Sequence, residues 1–313
     1  MPAPTEPATQ IEEIIDQQVA SRIREIGRLS TLPQTTWELM RLLGDENTTP
    51  ENLQKVVEQD PALSAKVISL GNSAYYGLRT PATTIARAIV IIGFKELEFL
   101  ALGLGLADTF DLRKVPYGFD GEALWLHSLS VSWAAREVAA ATRLVDPGEA
   151  MLAGLLHNIG QIMLVTHFTV QLQRLMNYVA EGHTFTEGET DLGLWHEAIG
   201  YLLAKNWGMP QYLQDVILFH HRPELATGSL KTVSVISQAI KLVGLTNFGL
   251  DYETAEAQRA TPEETMSDDD LPPGLTRDNR DKLLEKIKNT LPLMAPTWVQ
   301  MMGSSRRPAA RKK

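Results

Sequence analysis

The sequence predicts an all-α protein, and three observations carry that expectation. Apolar residues recur at helical spacing in one segment after another. Segments open on capping chemistry, with Thr49-Pro50, Asp60-Pro61 and Asp146-Pro147 each placing a side-chain acceptor before a proline in the first turn. No stretch of reasonable length alternates apolar and polar residues in the manner of a half-buried strand.

Taken in order, residues 10–28 carry Ile11, Ile14, Ile15, Val19, Ile23 and Ile26 on one stripe and read as a helix. Leu29–Gln34 is an extended entry, because the residue before Pro33 avoids the helical region. A short helix over 35–44 stops at Gly44, and another starts at Thr49-Pro50. Asp60-Pro61 opens a helix over Ala62–Leu70, which Gly71-Asn72 terminates. Pro81 is expected to start a helix over Ala82–Ile92, with Gly93 as its stop. Further helices are expected over 94–110 and 121–142, and Asp146-Pro147 caps the one that follows. Beyond it, helices are expected near 161–181, 190–207, 210–221 and 229–246, with Trp207-Gly208-Met-Pro210 as a sharp stop and restart.

The 313 residues, 44% hydrophobic, suffice for one large core or two modest ones. With no cysteine, the chain has no disulfides, zinc–thiolate sites or thiol nucleophiles. The first ten residues lack the basic start and apolar run of a signal peptide, and no run approaches about 20 apolar residues. A cytoplasmic protein without membrane association is therefore expected. The net charge of −9 is unevenly spread. The last eleven residues, 303–313, hold five positive charges and no acid, so the body is more acidic than the total. An acidic body argues against an extended nucleic-acid surface. The basic tail reads as a disordered end, with an electrostatic tether to phosphates, Arg306–Lys313, as the alternative. Residues 251–270 hold eight acids and one arginine and read as a linker, ahead of a C-terminal amphipathic helix carrying Leu283, Leu284 and Ile287.

One stretch organises the rest. Met151–Gly160 is nearly all apolar, interrupted only by His157 and Asn158. A buried polar group without a partner costs about 1–3 kcal/mol, so this pair either caps an internal helix end or faces a cavity. Around it the sequence repeatedly offers histidine: His127 beside Trp125, His196 after Trp195, and the adjacent His220 and His221.

These segments, in this order, resemble the HDOD (HD-related output domain) family. The likeness rests on Gln59-Asp-Pro-Ala-Leu-Ser-Ala-Lys-Val-Ile-Ser-Leu-Gly-Asn-Ser-Ala-Tyr-Tyr-Gly77, on Ile85-Ala-Arg-Ala-Ile and on Ile92-Gly93. It continues in Trp125-Leu-His-Ser128, Gly154-Leu-Leu-His-Asn-Ile-Gly160, His196-Glu-Ala-Ile-Gly200, Trp207–Pro210 and His220-His221. The resemblance implies an HDOD domain over 22–246, with an N-terminal helical half, 22–115, and an HD-like half, 116–246. Residues 1–21 would be an extension, 247–277 a linker, 278–302 a C-terminal helix and 303–313 a tail. It also implies kinship with the HD and HD-GYP phosphohydrolases and a place in bacterial signalling.

HD hydrolases bind divalent metals through histidines and aspartates, and the metal lowers the pKa of a bound water for attack on a phosphoester. Transferred residue by residue, the vestigial site comprises His127, His157, Asn158, Gln161, His196, His220, His221 and Gln238, with Ser237 as an alternative to Gln238. Asn158 stands where an Asp is wanted, Ser237 or Gln238 where the closing acid is wanted, and Gln161 where HD-GYP enzymes carry Lys. His-His is followed by Arg222-Pro223 rather than an acid and a Gly-Tyr-Pro loop. Mg and Mn, which prefer carboxylates, lose most of their affinity in such a set. Four neutral imidazoles, those of His127, His157, His196 and His220, remain candidates for Zn or Ni. No cofactor or resident metal is expected, and no catalytic residue is assigned. On a helix His220 and His221 point about 100° apart, so only one is expected to face the site. His167 and His183 match nothing in the pattern and read as surface residues.

Asn72, Ser73 and Tyr75 form a second polar cluster, read as a helix C-cap or as an interaction and ligand surface between the halves. Gly103 and Gly105 suggest close helix approach rather than a phosphate loop, since Asp108 sits where a third glycine would be required. The leading expectation is a non-catalytic signalling scaffold that binds a protein partner, with input arriving through another chain. A metal-dependent phosphohydrolase on a nucleotide or cyclic dinucleotide is the alternative, with Glu122, Glu149 or Glu197 completing the shell. A transcription-related adaptor is the weaker alternative. The N-terminal stripe suits either packing on the domain or homo-oligomerisation.

Overall fold

The computed structural model describes residues 19–23, 25, 34–43, 47–73, 76–94, 97, 101, 103, 112, 115–246, 248 and 272–301. Among them there are helices and no strand. In chain order these are α1 (Gln34–Leu43), α2 (Pro50–Val57), α3 (Pro61–Gly71), α4 (Ile85–Ile92), α5 (Gly121–Thr142), α6 (Pro147–Leu156), α7 (Ile159–His167), α8 (Thr169–Ala180), α9 (Phe185–Leu192), α10 (His196–Asn206), α11 (Gln211–Phe219), α12 (Leu230–Gly244) and α13 (Arg277–Met301). No single described helix is long and apolar enough to cross a membrane.

Local chemistry sets the boundaries. Thr49 caps α2 through a reciprocal pair with Asn52, and Asp146 accepts from the Gly148 and Glu149 amides at 2.9 and 3.0 Å to start α6. Three sequence expectations need correction. Helix α4 begins at Ile85, not beside Pro81, because Thr84 has extended backbone angles and accepts from the Arg87 amide at 3.2 Å. The single helix expected over 161–181 is two, turning by 101° at the buried Phe168. The single helix expected over 190–207 is also two. Thr184 and Glu187 form a capping box that nucleates α9 early, and Gly193, at φ 65°, ends it in the left-handed region.

The chain divides into two compact units. The smaller, residues 32–109 and 289–313, contains α1–α4 and the end of α13. Leu39, Leu53, Val57, Val67 and Ile89 form its buried apolar core. Gly71 permits α3 to lie close on α4, since a Cβ there would stand 3.3 Å from the Ala88 Cβ.

The larger unit, residues 1–31 and 110–288, contains α5–α12 and the start of α13. Helix α5 runs through its middle with Trp125, Trp133, Val131 and Ala135 fully buried, and it packs against α6 and α12. Burying large apolar side chains of this kind contributes about 1.5–3 kcal/mol each. Helix α7 packs on α10, and α10 on α11. Two glycine crossings set the spacing. A Cβ on Gly154 would lie 2.7 Å from the Ser132 Cα, so α6 rests directly on the α5 backbone. A Cβ on Gly160 would lie 1.8 Å from the His196 carbonyl oxygen, so α7 and α10 touch backbone to backbone. The start of α13 docks through Leu283 and Ile287, with Lys286 paired to Glu137 at 2.5 Å and lying over the Trp133 ring.

Candidate functional site: a buried histidine cluster

The apolar stretch that organises the sequence is not one continuous helix. Helix α6 ends at Leu156 and α7 begins at Ile159, and His157 and Asn158 occupy the break. His157 keeps helical angles as the C-cap of α6, whereas Asn158, at φ −103° and ψ 21°, turns the chain. The break exists because Gly154 and Gly160 pin the two helices to different neighbours, α5 and α10. The polar pair is thereby held inside the core.

Four helices deliver imidazoles to this place. His127 comes from the middle of α5, His157 from the break, His196 from the first position of α10 and His220 from the end of α11. All four are about 99% buried, with 1% exposure each. Their rings form a chain of contacts, His127–His157–His220–His196, with centroid separations of 5.3, 5.1 and 5.5 Å. His221 also joins, correcting the expectation that only one of the pair could face the site. Its exposed ring lies 4.1 Å from that of His220 and 5.4 Å from that of His196. The helical 100° argument fails because α11 ends at Phe219 and both histidines sit in the following turn.

Hydrogen bonds decide which ring nitrogens carry protons. His157 Nδ1 lies 2.7 Å from the Gly154 carbonyl, and His220 Nδ1 lies 3.2 and 3.0 Å from the Val216 and Ile217 carbonyls. A carbonyl only accepts, so both Nδ1 atoms donate. Burial pushes both imidazoles well below the ordinary value of 6.5, and the neighbouring histidines push in the same direction. Neutral rings with protonated Nδ1 carry their lone pairs on Nε2. His196 Nδ1 stands 2.9 Å from a carboxylate oxygen of Glu189, a residue on α9 that is itself 3% exposed. The second carboxylate nearby, Glu197, is 3.6 Å from the same nitrogen. His196 Nε2 faces His220 Nε2 at 3.4 Å.

That separation bears on the divalent ions that HD hydrolases use. Two nitrogens bound at 2.0–2.1 Å to one tetrahedral ion stand about 3.3–3.4 Å apart. Ligand atoms of His196, His220 and His221 also lie within 4.8 Å of one another. The donor set therefore fits a nitrogen-preferring ion such as zinc. At the positions that the HD motif assigns to acids, Asn158 and Ser237 or Gln238, it lacks the carboxylates of a magnesium or manganese hydrolase. Asn158, 1% exposed, donates its Nδ2 to Gln161 Oε1 at 3.1 Å, so two amides pair at the position of the wanted acid. Gln161 Nε2 is buried with no protein partner among the described residues. Gln238 is likewise buried, on α12, and the neighbouring Ser237 is 9% exposed.

The acids proposed from sequence to complete the shell are placed differently. Glu122 and Glu149 sit exposed in the first turns of α5 and α6, where they complement the helix dipoles. Glu197 is half-buried beside His196, and Glu189 was missed altogether. His183 is exposed and stacks on Tyr178 at 4.1 Å. His167 is half-buried rather than on the open surface, which lowers its pKa below the ordinary range.

The second polar cluster has a structural explanation in part. The Asn72 side chain donates to the Ala82 carbonyl at 2.9 Å and accepts from the Ala82 amide at 2.7 Å, clamping the end of α3 to the segment before α4. Ser73 is half-buried, and its amide bonds the Leu70 carbonyl at 3.0 Å. Tyr75 lies outside the described residues, as do Gly105 and Asp108. Gly103 is described and buried.

Comparison with known proteins agrees with this architecture. The HDOD domain family model matches residues 29–223. An uncharacterised protein of Treponema pallidum (strain Nichols) is 27% identical over 240 residues, covering 72% of this chain but 44% of that protein, so the chain spans less than half of that relative's length. Among solved structures, an HDOD domain protein of unknown function from Geobacter sulfurreducens superposes with a TM-score of 0.73 at 22% identity, over 91% of this chain and 98% of the other. A provisionally assigned signal transduction protein from Marinobacter aquaeolei VT8 gives 0.70 at 21%, over 96% and 67%. A provisionally assigned phosphohydrolase from Shewanella amazonensis SB2B gives 0.63 at 23%, over 91% and 97%. At these identities the structures speak to the fold, whereas the family model spans more than half of the sequence, and on that ground the chain belongs to the HDOD domain family.

Proposed function

We propose that this chain is a non-hydrolytic signalling module, acting in a bacterial pathway by binding another protein. The observation that carries the reading is the Asn158–Gln161 amide pair, buried at the point where an HD hydrolase needs a carboxylate. Hydrolysis of a phosphoester in such a centre depends on a metal that turns bound water into hydroxide. Amides carry no charge to hold Mg or Mn there and cannot take the proton from that water. The imidazoles that remain suit a structural zinc-class ion, held by His196 and His220 with His221 at the rim, and the cluster then stiffens the junction of α10 and α11 rather than doing chemistry.

A metal-dependent phosphohydrolase is the second reading, and one observation favours it. Glu189 and Glu197 both approach His196, supplying carboxylates where Asn158 and Gln238 supply none. The experiment that separates the two is hydrolysis of bis-p-nitrophenyl phosphate and of cyclic dinucleotides by protein loaded in turn with Zn, Ni, Mn and Mg. The signalling reading expects rates no higher than those of a His157→Ala/His196→Ala variant. Metal-dependent turnover that this variant loses would favour the hydrolase.

A further inference from the structure

We propose that Glu189 is the positioning residue of the histidine cluster, fixing His196 with its Nδ1 protonated so that Nε2 is presented to an ion shared with His220. The proposal rests on the histidine cluster being a nitrogen-donor ion site, and it assigns a role to a residue outside every motif in the sequence.

The carboxylate of Glu189 is 2.9 Å from His196 Nδ1, within hydrogen-bonding distance, and both side chains are buried, at 4% and 1% exposure. With its carboxylate ionised, Glu189 only accepts, and the proton of this contact then belongs to Nδ1. Such a bond, formed away from water, locks the ring orientation and raises the basicity of the opposite nitrogen, as carboxylate–histidine pairs do in zinc proteins. The neighbouring residue is tied down by the same means. His220 Nδ1 donates to the Val216 and Ile217 carbonyls, so its Nε2 also carries a lone pair. Two lone pairs facing each other at 3.4 Å repel unless a cation or proton lies between them. The backbone makes this arrangement rigid. Gly193 ends α9 in the left-handed region and the Leu194 amide bonds the Glu189 carbonyl at 2.8 Å, so the chain folds back and returns His196 to the same carboxylate. Glu197 is the neighbouring alternative, but at 3.6 Å it is beyond a hydrogen bond and is partly solvated.

Two measurements test the assignment on the full chain. In metal-free protein, long-range proton–nitrogen NMR reads the tautomer of His196, and the Nδ1–H form is expected; a neutral Nε2–H ring overturns the proposal whatever the metal does. Zinc affinity is then measured by competition with a chromophoric chelator, and coordination by the visible spectrum of the cobalt-substituted protein. Glu189→Gln, with folding checked by circular dichroism and melting temperature, is expected to weaken zinc binding by about 10- to 100-fold. Glu197→Gln should cost less than Glu189→Gln. Wild-type affinity in a folded Glu189→Gln variant overturns the positioning role alone. Failure of the wild-type protein to bind zinc or cobalt overturns the ion-site reading and the proposal with it.

Discussion

Replacing Gly160 with Ala probes the contact that brings α7 and α10 together and so places His157 near His196. The added Cβ would stand 1.8 Å from the His196 carbonyl oxygen and 2.6 Å from the Gly200 nitrogen. Both are backbone atoms, so no side-chain rotation relieves the clash. Restoring a contact of about 3.2 Å requires the helices to part by about 1.4 Å, and a radial gap of 0.5–1 Å already forfeits a quarter to a half of each van der Waals contact along the interface. The cost should exceed the 1–3 kcal/mol typical of overpacking, reaching about 4 kcal/mol. With roughly 2–4 °C per kcal/mol for a unit of this size, the midpoint should fall by about 8–16 °C. Gly182→Ala is the matched control. Gly182 has φ 100°, a conformation glycine adopts freely but alanine does not, with nothing within 4 Å of a new Cβ, so the substitution adds backbone strain without a clash and should cost about 1–2 kcal/mol. Urea and thermal unfolding of both variants measure the difference. A Gly160→Ala variant within about 1 kcal/mol of wild type would refute the reasoning that this crossing is backbone on backbone.

Three further outcomes follow from the same geometry. His157 and His220 are held neutral by burial, with pKa values below the unfolded 6.5, so the unfolded chain binds more protons as pH falls through that value. The stability they allow is fully present above pH 6.5 and is lost below it, with a slope of up to about 2.7 kcal/mol per pH unit for the two groups in metal-free protein; equal stability at pH 7.5 and 5.5 would contradict this. Asn72→Ala removes both bonds to Ala82 and should destabilise the smaller unit by about 1–3 kcal/mol in urea unfolding, whereas Asn72→Asp, which keeps the acceptor, should cost less. Asn158→Asp buries a carboxyl where the wild type buries an amide, so metal-free protein should be less stable at pH 7 than at pH 5.5 relative to wild type, and manganese binding measured by calorimetry should increase.

Much of the fold was legible because helix starts are written in local chemistry. Asp146-Pro147 and Thr49-Pro50 began helices as read, and α5 ends match the expected 121–142. The failures share a cause. Apolar periodicity continues across Phe168 and Gly193, so a helix that bends at a buried aromatic and one that ends at a left-handed glycine look unbroken in the sequence. The Thr184–Glu187 capping box was the available signal for α9, and overlooking it hid Glu189 as well. Among Glu187, Glu189 and Asp191, alternating acids suggest a solvated face, yet Gly193 folds the chain so that the middle one is buried against His196. That pairing joins two helices, and helical periodicity within one segment does not report it. The histidines themselves were legible by resemblance, but their protonation pattern depends on which carbonyls lie beside Nδ1, which no spacing rule encodes.

The central claim is that the buried centre is a histidine cluster lacking the acids at the positions where an HD hydrolase carries them, Asn158 and Ser237 or Gln238. Elemental analysis of chelator-free, untagged protein, paired with a phosphodiesterase assay on the same sample, tests it most directly. The account predicts zinc-class metal or none, with no turnover in either case. A stoichiometric manganese or magnesium content, or hydrolysis abolished by His157→Ala in a folded protein, would contradict it.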